Sequence, residues 1–388
     1  ANKLFKSDDK GNSWTCINEE LARQLDRNKL PIIDKVWSME AIAKNQSTDF
    51  YGQLVTVAES YFDENYLVVG TDDGLIHFTK DGGKNWTKVD NIPGVPKNTY
   101  VNQIIASKLD KNVFYAAFNH HRYGDFKPYI FKSTDGGKTW LPKQGNLPVR
   151  GSVYSLEEDH VNSNLLFAGT EFGLFFTIDG GAQWIQLKGG LPTIAIRDIA
   201  IQKRENDLVL ATFGRGFYIL DDYSALRNIN VEAMQKEALI LPIKDAVMYN
   251  EWRKWGGPLK GFQGESFYAT PNPTIGAVFT YFLKDDIKTI KEKRQAAEKE
   301  KIKKGAAVFY PSIDSLRMED TQAEPYLLFT ITDESGAVVR KLKAAAKKGL
   351  NRIVWDLRYA SAGPISFHTP DPSNPYDQLE NGYLAMPG

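Results

Sequence analysis

The sequence predicts an all-β chain: four full β-propeller blades and a partial one, belonging to a larger ring, followed by a small β-sandwich with an inserted helix. Three observations predict it. A run with Ser or Thr, Asp, Gly and Trp at its first, third, fifth and eighth positions occurs four times, as SDDKGNSW, TKDGGKNW, STDGGKTW and TIDGGAQW. The later runs each close a unit of roughly 40 residues that reads strand, polar turn, strand, Gly-containing turn, strand, Asp turn, strand, which is the pattern of a four-stranded blade. Near the end, PYLLFTITDESGAVVRKL and GLNRIVWDLRY alternate apolar and polar residues, as half-buried strands do.

The elements follow in order. The partial blade is KLFKSDDKGNSWT, with Ser7, Asp9, Gly11 and Trp14. Residues 17–50 are an insert whose NEELARQLDR and IIDKVWSMEAIAKN carry apolar spacing that predicts two short helices. The first full blade spans 51–89 and ends on Thr79, Asp81, Gly83 and Trp86. The second spans 100–140 with Ser133, Asp135, Gly137 and Trp140, and is lengthened by NHHRYGDFKP. The third spans 151–187 with Thr177, Asp179, Gly181 and Trp184. The fourth, 194–222, lacks the Gly and Trp, and spacing assigns Asp221 to its turn. In each turn Asp accepts from backbone N–H groups just downstream and Gly supplies a positive φ, so the run reads as a stiff hairpin turn closed by an apolar ring.

Residues 1–226 are thus assigned to the propeller, 227–273 to a closing strand and linker, and 274–388 to the sandwich. Within the middle segment, EALILPIKDAVMY could close the ring or begin the linker, and 250–273, rich in Gly, Pro and aromatics, reads as irregular. GAVFTYFL is a strand, and residues 285–304 form a highly charged surface helix. The last residues, GYLAMPG, approach one more strand, so the chain reads as a fragment at both ends.

These runs resemble the Asp-box (bacterial neuraminidase) repeats of sialidases, sortilin-type receptors and several propeller glycosidases. The combination of GTDDGLIHFTKDGGKNW, YIFKSTDGGKTW, ATFGRGFYILDD and GLNRIVWDLRY is similar to the sortilin-like propeller proteins of environmental bacteria, often labelled as glycosyl hydrolases. The resemblance implies an immunoglobulin- or fibronectin-like sandwich after the propeller, and export to the periplasm, cell surface or medium. It says little about activity, because one fold carries many functions.

Composition narrows the classes. With 48 basic and 48 acidic residues there is no broad basic field for nucleic acid, and no apolar run is long enough for a membrane span. A single cysteine, Cys16, excludes an internal disulfide framework. The adjacent His120 and His121 have no spaced His or Cys to complete a metal set, and no cofactor is expected.

Candidate ligand-binding residues lie on the face opposite the Asp turns, where the second-to-third-strand turns gather. They are Asp72 and Asp73, His120, His121, Arg122 and Asp125, Glu171, and Arg215, with Arg197 and Asp198 at the start of the fourth blade. Structural roles compete: Asp72 and Asp73 as turn formers, a Glu171–Arg215 pair across blades, and residues 120–125 as a variable surface loop. For a sialidase, Arg122, Arg197 and Arg215 would have to converge. For another glycosidase, two of Asp72, Asp73, Asp125 and Glu171 would have to face one another. No nucleophile-elbow motif is present. The expectation is a non-catalytic module binding protein, peptide or glycan, with remaining blades supplied by the parent protein or another chain. A fragment of a glycoside hydrolase and a structural part of a surface assembly are the alternatives.

Overall fold

A computed structural model describes residues 2–32, 34–44, 46, 51–249, 272–364, 367–371 and 382–386. It divides into two units, Ala1–Arg227 and Asn228–Gly388.

The first unit is a β-propeller arc. A short hairpin, β1 (Phe5–Lys6) and β2 (Thr15–Cys16), forms the partial blade. Blade 1 is β3 (Leu54–Ser60), β4 (Asp63–Thr71), β5 (Ile76–Thr79) and β6 (Thr87–Val89). Blade 2 is β7 (Tyr100–Ala106), β8 (Phe114–Asn119), β9 (Tyr129–Ser133) and β10 (Leu141–Pro142). Blade 3 is β11 (Val153–Glu158), β12 (Leu166–Thr170), β13 (Gly173–Thr177) and β14 (Ile185–Leu187). Blade 4 has three strands, β15 (Ile196–Gln202), β16 (Asp207–Thr212) and β17 (Phe217–Leu220). Every blade is an antiparallel meander in chain order.

Alternation along the strands builds the core. In β8 the residues Phe114, Ala116 and Phe118 enter the core shared with blade 1, where Val68, Ile76 and Phe78 meet them. The intervening Tyr115 and Ala117 enter the next core, against Leu156, Leu166 and Phe175 of blade 3. A strand buried on both faces therefore reads as a continuous apolar run. Each fully buried Phe contributes about 1.5–3 kcal/mol. Side chains also stitch the innermost strands together: Ile104 N–H donates to Thr56 Oγ1 (3.0 Å), and Leu156 N–H to Gln103 Oε1 (2.6 Å).

The Asp turns are hydrogen-bonded as their chemistry demands. In the second blade Ser133 Oγ donates to Asp135 Oδ1 (2.9 Å), Gly137 N–H to Ser133 Oγ (2.8 Å), and Thr139 N–H to Asp135 Oδ1 (2.9 Å). The turns at Asp9, Asp81 and Asp179 repeat the pattern. The backbone N–H and side chain of Asn85, with Thr79, hold the Asp81 carboxyl at about 2. The indoles of Trp14, Trp86 and Trp140 donate to the carbonyls of Gly11, Gly83 and Gly137. Trp184 instead reaches back to Lys143 O of blade 2 (2.9 Å), so it locks two blades together.

Register corrects the fourth turn. Thr79, Ser133, Thr177 and Leu220 pair with the equivalent residues Leu67, Phe114, Leu166 and Leu208. The Asp position two residues on is therefore Asp222, not Asp221. Tyr223 N–H donates to Asn206 O (2.9 Å), as Gly180 N–H does to Asn164 O (3.0 Å) in blade 3.

The two helices expected in residues 17–50 do not form. The described part holds one 3₁₀ turn, Arg27–Lys29, and a series of single turns. Gln24 and Ala43 adopt positive φ (55° and 56°), which interrupts any helix, and Leu21 is the one buried apolar side chain among those described. The insert is held by polar contacts instead: Arg23 N–H donates to Asp73 Oδ2 (2.7 Å) and Arg23 Nε to Asp73 O (2.9 Å).

Beneath it lies His77, 5% exposed, with its Nε2 buried and unpartnered. Burial, aided by the Lys88 and Arg23 charges and opposed by a hydrogen bond with the Leu21 backbone and by Asp73, lowers its pKa to about 4. A depressed histidine pKa means the unfolded chain binds the proton first. Stability is therefore full above about pH 6.5 and falls until about pH 4, by about 3 kcal/mol in all. Denaturant melts across this window will show that slope, and His77→Phe will remove it.

The second unit contains α1 (Val231–Gln235), β18 (Ala238–Ile240), β19 (Ala277–Leu283), α2 (Ile290–Lys303), α3 (Ile313–Thr321), β20 (Tyr326–Thr332), β21 (Val338–Ala345) and β22 (Gly349–Trp355). It is a small sandwich: a β18–β19–β22 sheet and a β20–β21 hairpin enclose Tyr281, Leu283 and Ala344, with Leu327, Phe329 and Ile353 against them. Of the run EALILPIKDAVMY, Ala238–Ile240 supplies β18, paired Ala238 to Leu283, rather than closing the ring, and 241–249 carry no helix or strand. The irregular stretch expected at 250–273 lies, but for its last two residues, outside the described residues. The charged segment 285–304 forms one helix, α2, as expected, and a second helix that the sequence did not signal, α3, follows it. Thr289 and Glu292 cap α2, and Arg294 joins it to α3 through Glu319 (2.6 and 2.8 Å). Leu384 bridges Arg358, where one more strand was expected.

Candidate functional site

The face opposite the Asp turns is built from the second-to-third-strand turns and the starts of the innermost strands. A β-bulge lies near the start of each innermost strand, between Leu54/Thr56, Val101/Gln103, Val153/Ser155 and Ile196/Asp198. The extra residue in each case is Val55, Asn102, Tyr154 and Arg197, so four equivalent positions are re-aimed at this face.

Between blades 1 and 2 the turns enclose a small niche of about 220 Å³, lined by Tyr51, Asp72, Asn98, Tyr100, Asn119, Arg122 and Tyr123. Asp72 Oδ1 accepts the N–H groups of Gly52 (2.9 Å) and Gln53 (2.7 Å), and no protein donor reaches its Oδ2 among the described residues. Burial raises its proton affinity, against those two N–H groups and the Arg122 charge. The Arg122 guanidinium lies over the Tyr100 ring at 5.2 Å. The Tyr51 hydroxyl is buried, with the Tyr123 hydroxyl close enough to interact with it without forming a well-shaped hydrogen bond. Its proton is held more tightly than an ordinary phenol's, chiefly by burial, with Tyr123, Asp73 and Asp72 adding to it.

The neighbouring candidates shape this niche. Asp73 is fully buried and takes Thr71 Oγ1 (2.5 Å) and the Arg23 N–H, so it anchors the insert. His120 Nδ1 meets Thr99 Oγ1 (2.9 Å), and its ring stacks on Tyr123 at 4.5 Å. Both the backbone N–H and the ring of His121 meet Asn119 Oδ1. Asp125 accepts Tyr129 Oη (2.6 Å) and Lys127 N–H (3.1 Å). These contacts hold a 3₁₀ turn, His121–Tyr123, that carries Arg122. The insert is therefore an ordered loop that presents the exposed Arg122 on Tyr100.

A second cluster sits between blades 3 and 4. Arg197 lies over Tyr154 at 3.9 Å and over Phe213 at 5.1 Å, and Tyr154 Oη donates to Glu171 Oε2 (3.1 Å). Asn102 donates to Tyr154 O. Glu171 thus pairs with Tyr154 and not with Arg215, which stands exposed in the turn between Gly214 and Gly216. Arg122, Arg197 and Arg215 fall in different environments and form no common carboxylate clamp. Nor do Asp72, Asp73, Asp125 and Glu171 supply two free carboxylates to one cavity.

Sequence reasoning missed the aromatic members: Tyr51, Tyr100, Tyr123 and Tyr154. It also missed the opposite mouth, where a cavity of about 780 Å³ runs between Val57–Glu64, Gln103–Ala106, Lys108, Glu157 and Glu158. Its buried polar groups satisfy one another. Glu158 accepts Ser107 Oγ (2.7 Å), Lys108 N–H (2.9 Å) and Tyr115 Oη (3.0 Å), and Lys108 pairs with Glu157. Beside it Asp159 replaces the serines, Ser60 and Ser107, that open the same turn in blades 1 and 2. The run EEDH, unlike its counterparts, was the available signal. Larger but internally matched, this mouth offers a ligand less than the niche does.

No protein-family model matches the chain, and no curated protein matches its sequence. Solved structures similar to it include an ancestral GH74 enzyme at 15% identity and a TM-score of 0.41, covering 73% of this chain and 34% of that one. The GH74 enzyme of Niastella koreensis is similar at 12% identity and a TM-score of 0.37, covering 44% and 29%. YCF48 bound to D1 peptide is similar at 15% identity and a TM-score of 0.35, covering 44% and 51%. The chain spans about a third of the GH74 structures and about half of the YCF48 structure. At these scores none of them transfers a site or a reaction, and the propeller arrangement rests on the chain's own sheets.

Proposed function

We propose that the propeller unit is a non-catalytic binding module that engages a protein, peptide or glycan through the niche between blades 1 and 2. One observation carries this reading: in a recess walled by three tyrosines, a buried hydroxyl lacks a well-formed hydrogen bond and no protein donor among the described residues reaches Asp72 Oδ2, beside an exposed guanidinium held on Tyr100. Buried polar groups without partners cost free energy that a ligand would recover. Hydrolysis by a carboxylate pair is disfavoured, because Asp73 and Asp125 are committed to backbone and tyrosine donors and Glu171 belongs to the other cluster.

Blade 4 supports the further expectation of additional blades. Phe217 and Ile219 are 75% and 61% exposed, at register positions where blade 3 buries Leu174 and Phe176. A sheet from the parent protein or another chain would cover them. Export is proposed on the sequence resemblance; among the described residues no helix is long and apolar enough to cross a membrane.

Mixed glycan and peptide arrays probed with the full chain test the reading. Arg122→Ala and Asp72→Asn are expected to weaken the strongest array signal at least about tenfold, one lost charge-assisted hydrogen bond each. A signal unchanged in both variants would remove the niche from consideration.

A further inference from the structure

We infer that the niche takes a single neutral, hydroxyl-rich ring, a pyranose, as the recognised end of its ligand; this rests on the binding-module reading above. Size comes first. About 220 Å³ holds one sugar ring or one side chain and excludes a disaccharide or a folded peptide segment. Charge comes next. The lining carries one carboxylate, Asp72, and one guanidinium, Arg122, with every other group neutral. A ligand carboxylate would lie near the unpartnered Asp72 Oδ2, and a ligand ammonium near Arg122. A neutral ligand meets neither conflict.

The polar groups then select hydroxyls. Asp72 Oδ2 accepts only, the Arg122 N–H groups donate only, and the buried Tyr51 hydroxyl can do both. Adjacent sugar hydroxyls, each a donor and an acceptor, satisfy all three at once. An aliphatic or aromatic side chain would satisfy none, leaving the Tyr51 hydroxyl and Asp72 Oδ2 desolvated without partners. The tyrosine walls complete the match, since the C–H face of a pyranose packs on an aromatic ring while its rim hydrogen-bonds.

Saturation-transfer NMR on the full chain tests this with named probes: the methyl glycosides of glucose, galactose, mannose, fucose and N-acetylglucosamine, then glucuronic acid, N-acetylneuraminic acid and zwitterionic phenylalanine. At least one neutral glycoside is expected to receive saturation, with its transfer confined to one ring face. Tyr51→Phe removes the buried hydroxyl alone, with an unchanged thermal melt as the check on its fold; it is expected to weaken that binding about tenfold, as is Asp72→Asn. Silence from all five neutral glycosides overturns the inference, as does binding that Tyr51→Phe leaves unchanged. Phenylalanine or an acidic sugar binding in their place, and lost in Arg122→Ala, would overturn the assignment of a neutral sugar while leaving the niche as a binding site. Array signals unchanged in both Arg122→Ala and Asp72→Asn would instead remove the niche itself.

Discussion

Asp159→Ala is expected to lower the unfolding free energy by about 4 kcal/mol, measured by urea denaturation of the full chain. Asp159 is fully buried at the end of β11. Arg227 grips it in a fork, Nε to Oδ2 at 2.9 Å and one terminal nitrogen to Oδ1 at 2.8 Å. Tyr223 Oη (2.6 Å) and the N–H groups of Val161 (3.0 Å) and Asn162 (2.7 Å) fill its remaining lone pairs. Burial pushes its proton affinity up, but Arg227 and Tyr223 more than reverse that and hold the carboxyl below its ordinary range. The stabilisation is therefore present above the ordinary carboxylate range and lost as pH falls through the depressed value. Removing the carboxylate strands Arg227, whose side chain is 16% exposed, and frees two N–H groups. The double variant Asp159→Ala/Arg227→Met should recover part of the loss, because it removes the orphaned charge. A single-variant loss below about 1 kcal/mol would mean the cluster does not tie blade 4 to blade 3.

The second large effect concerns the tryptophans, which share one motif and differ in what surrounds them. Trp184→Ala is expected to cost about 4 kcal/mol and Trp14→Ala less than about 1 kcal/mol in the same denaturation experiment. Trp184 is 4% exposed, packs in the core between blades 2 and 3, and donates to Lys143 O, while Asn146 Oδ1 accepts its backbone N–H. Trp14 is 63% exposed on the partial blade. Equal losses would show that the ring serves its own turn and not the junction between blades.

The same contrast explains what the sequence could disclose. The Asp turns were legible because their chemistry is local: Ser133, Asp135 and Gly137 bond within five residues. The blades followed from them by period. The fourth turn slipped by one because spacing counts residues, whereas strand pairing, Leu208 with Leu220, counts register. The helices expected in 17–50 had apolar spacing but no core to receive it, and polar contacts of Arg23 with Asp73 took over. The charged helix of the second unit was visible, but not its partner α3, which buries no apolar residue and whose one strong tether, Arg294 to Glu319, is long-range. In the niche, Asp72 and Arg122 were legible as polar residues on turns. Tyr51, Asn98 and Tyr100 were not, because they lie between blades and owe their place to the packing of blade 1 on blade 2. Burial of Glu158 and Asp159 could not be inferred from one sequence either, since it depends on donors from Ser107, Tyr115 and Arg227 in distant segments.

The two faces of the propeller can be told apart in one experiment. Hydrogen–deuterium exchange of the full chain, with and without the strongest ligand from the arrays, reads protection along the backbone. Protection is expected at 51–53, 98–100 and 119–123, the segments that wall the niche. Protection at 57–64 and 157–160 instead, around the opposite mouth, would contradict the account.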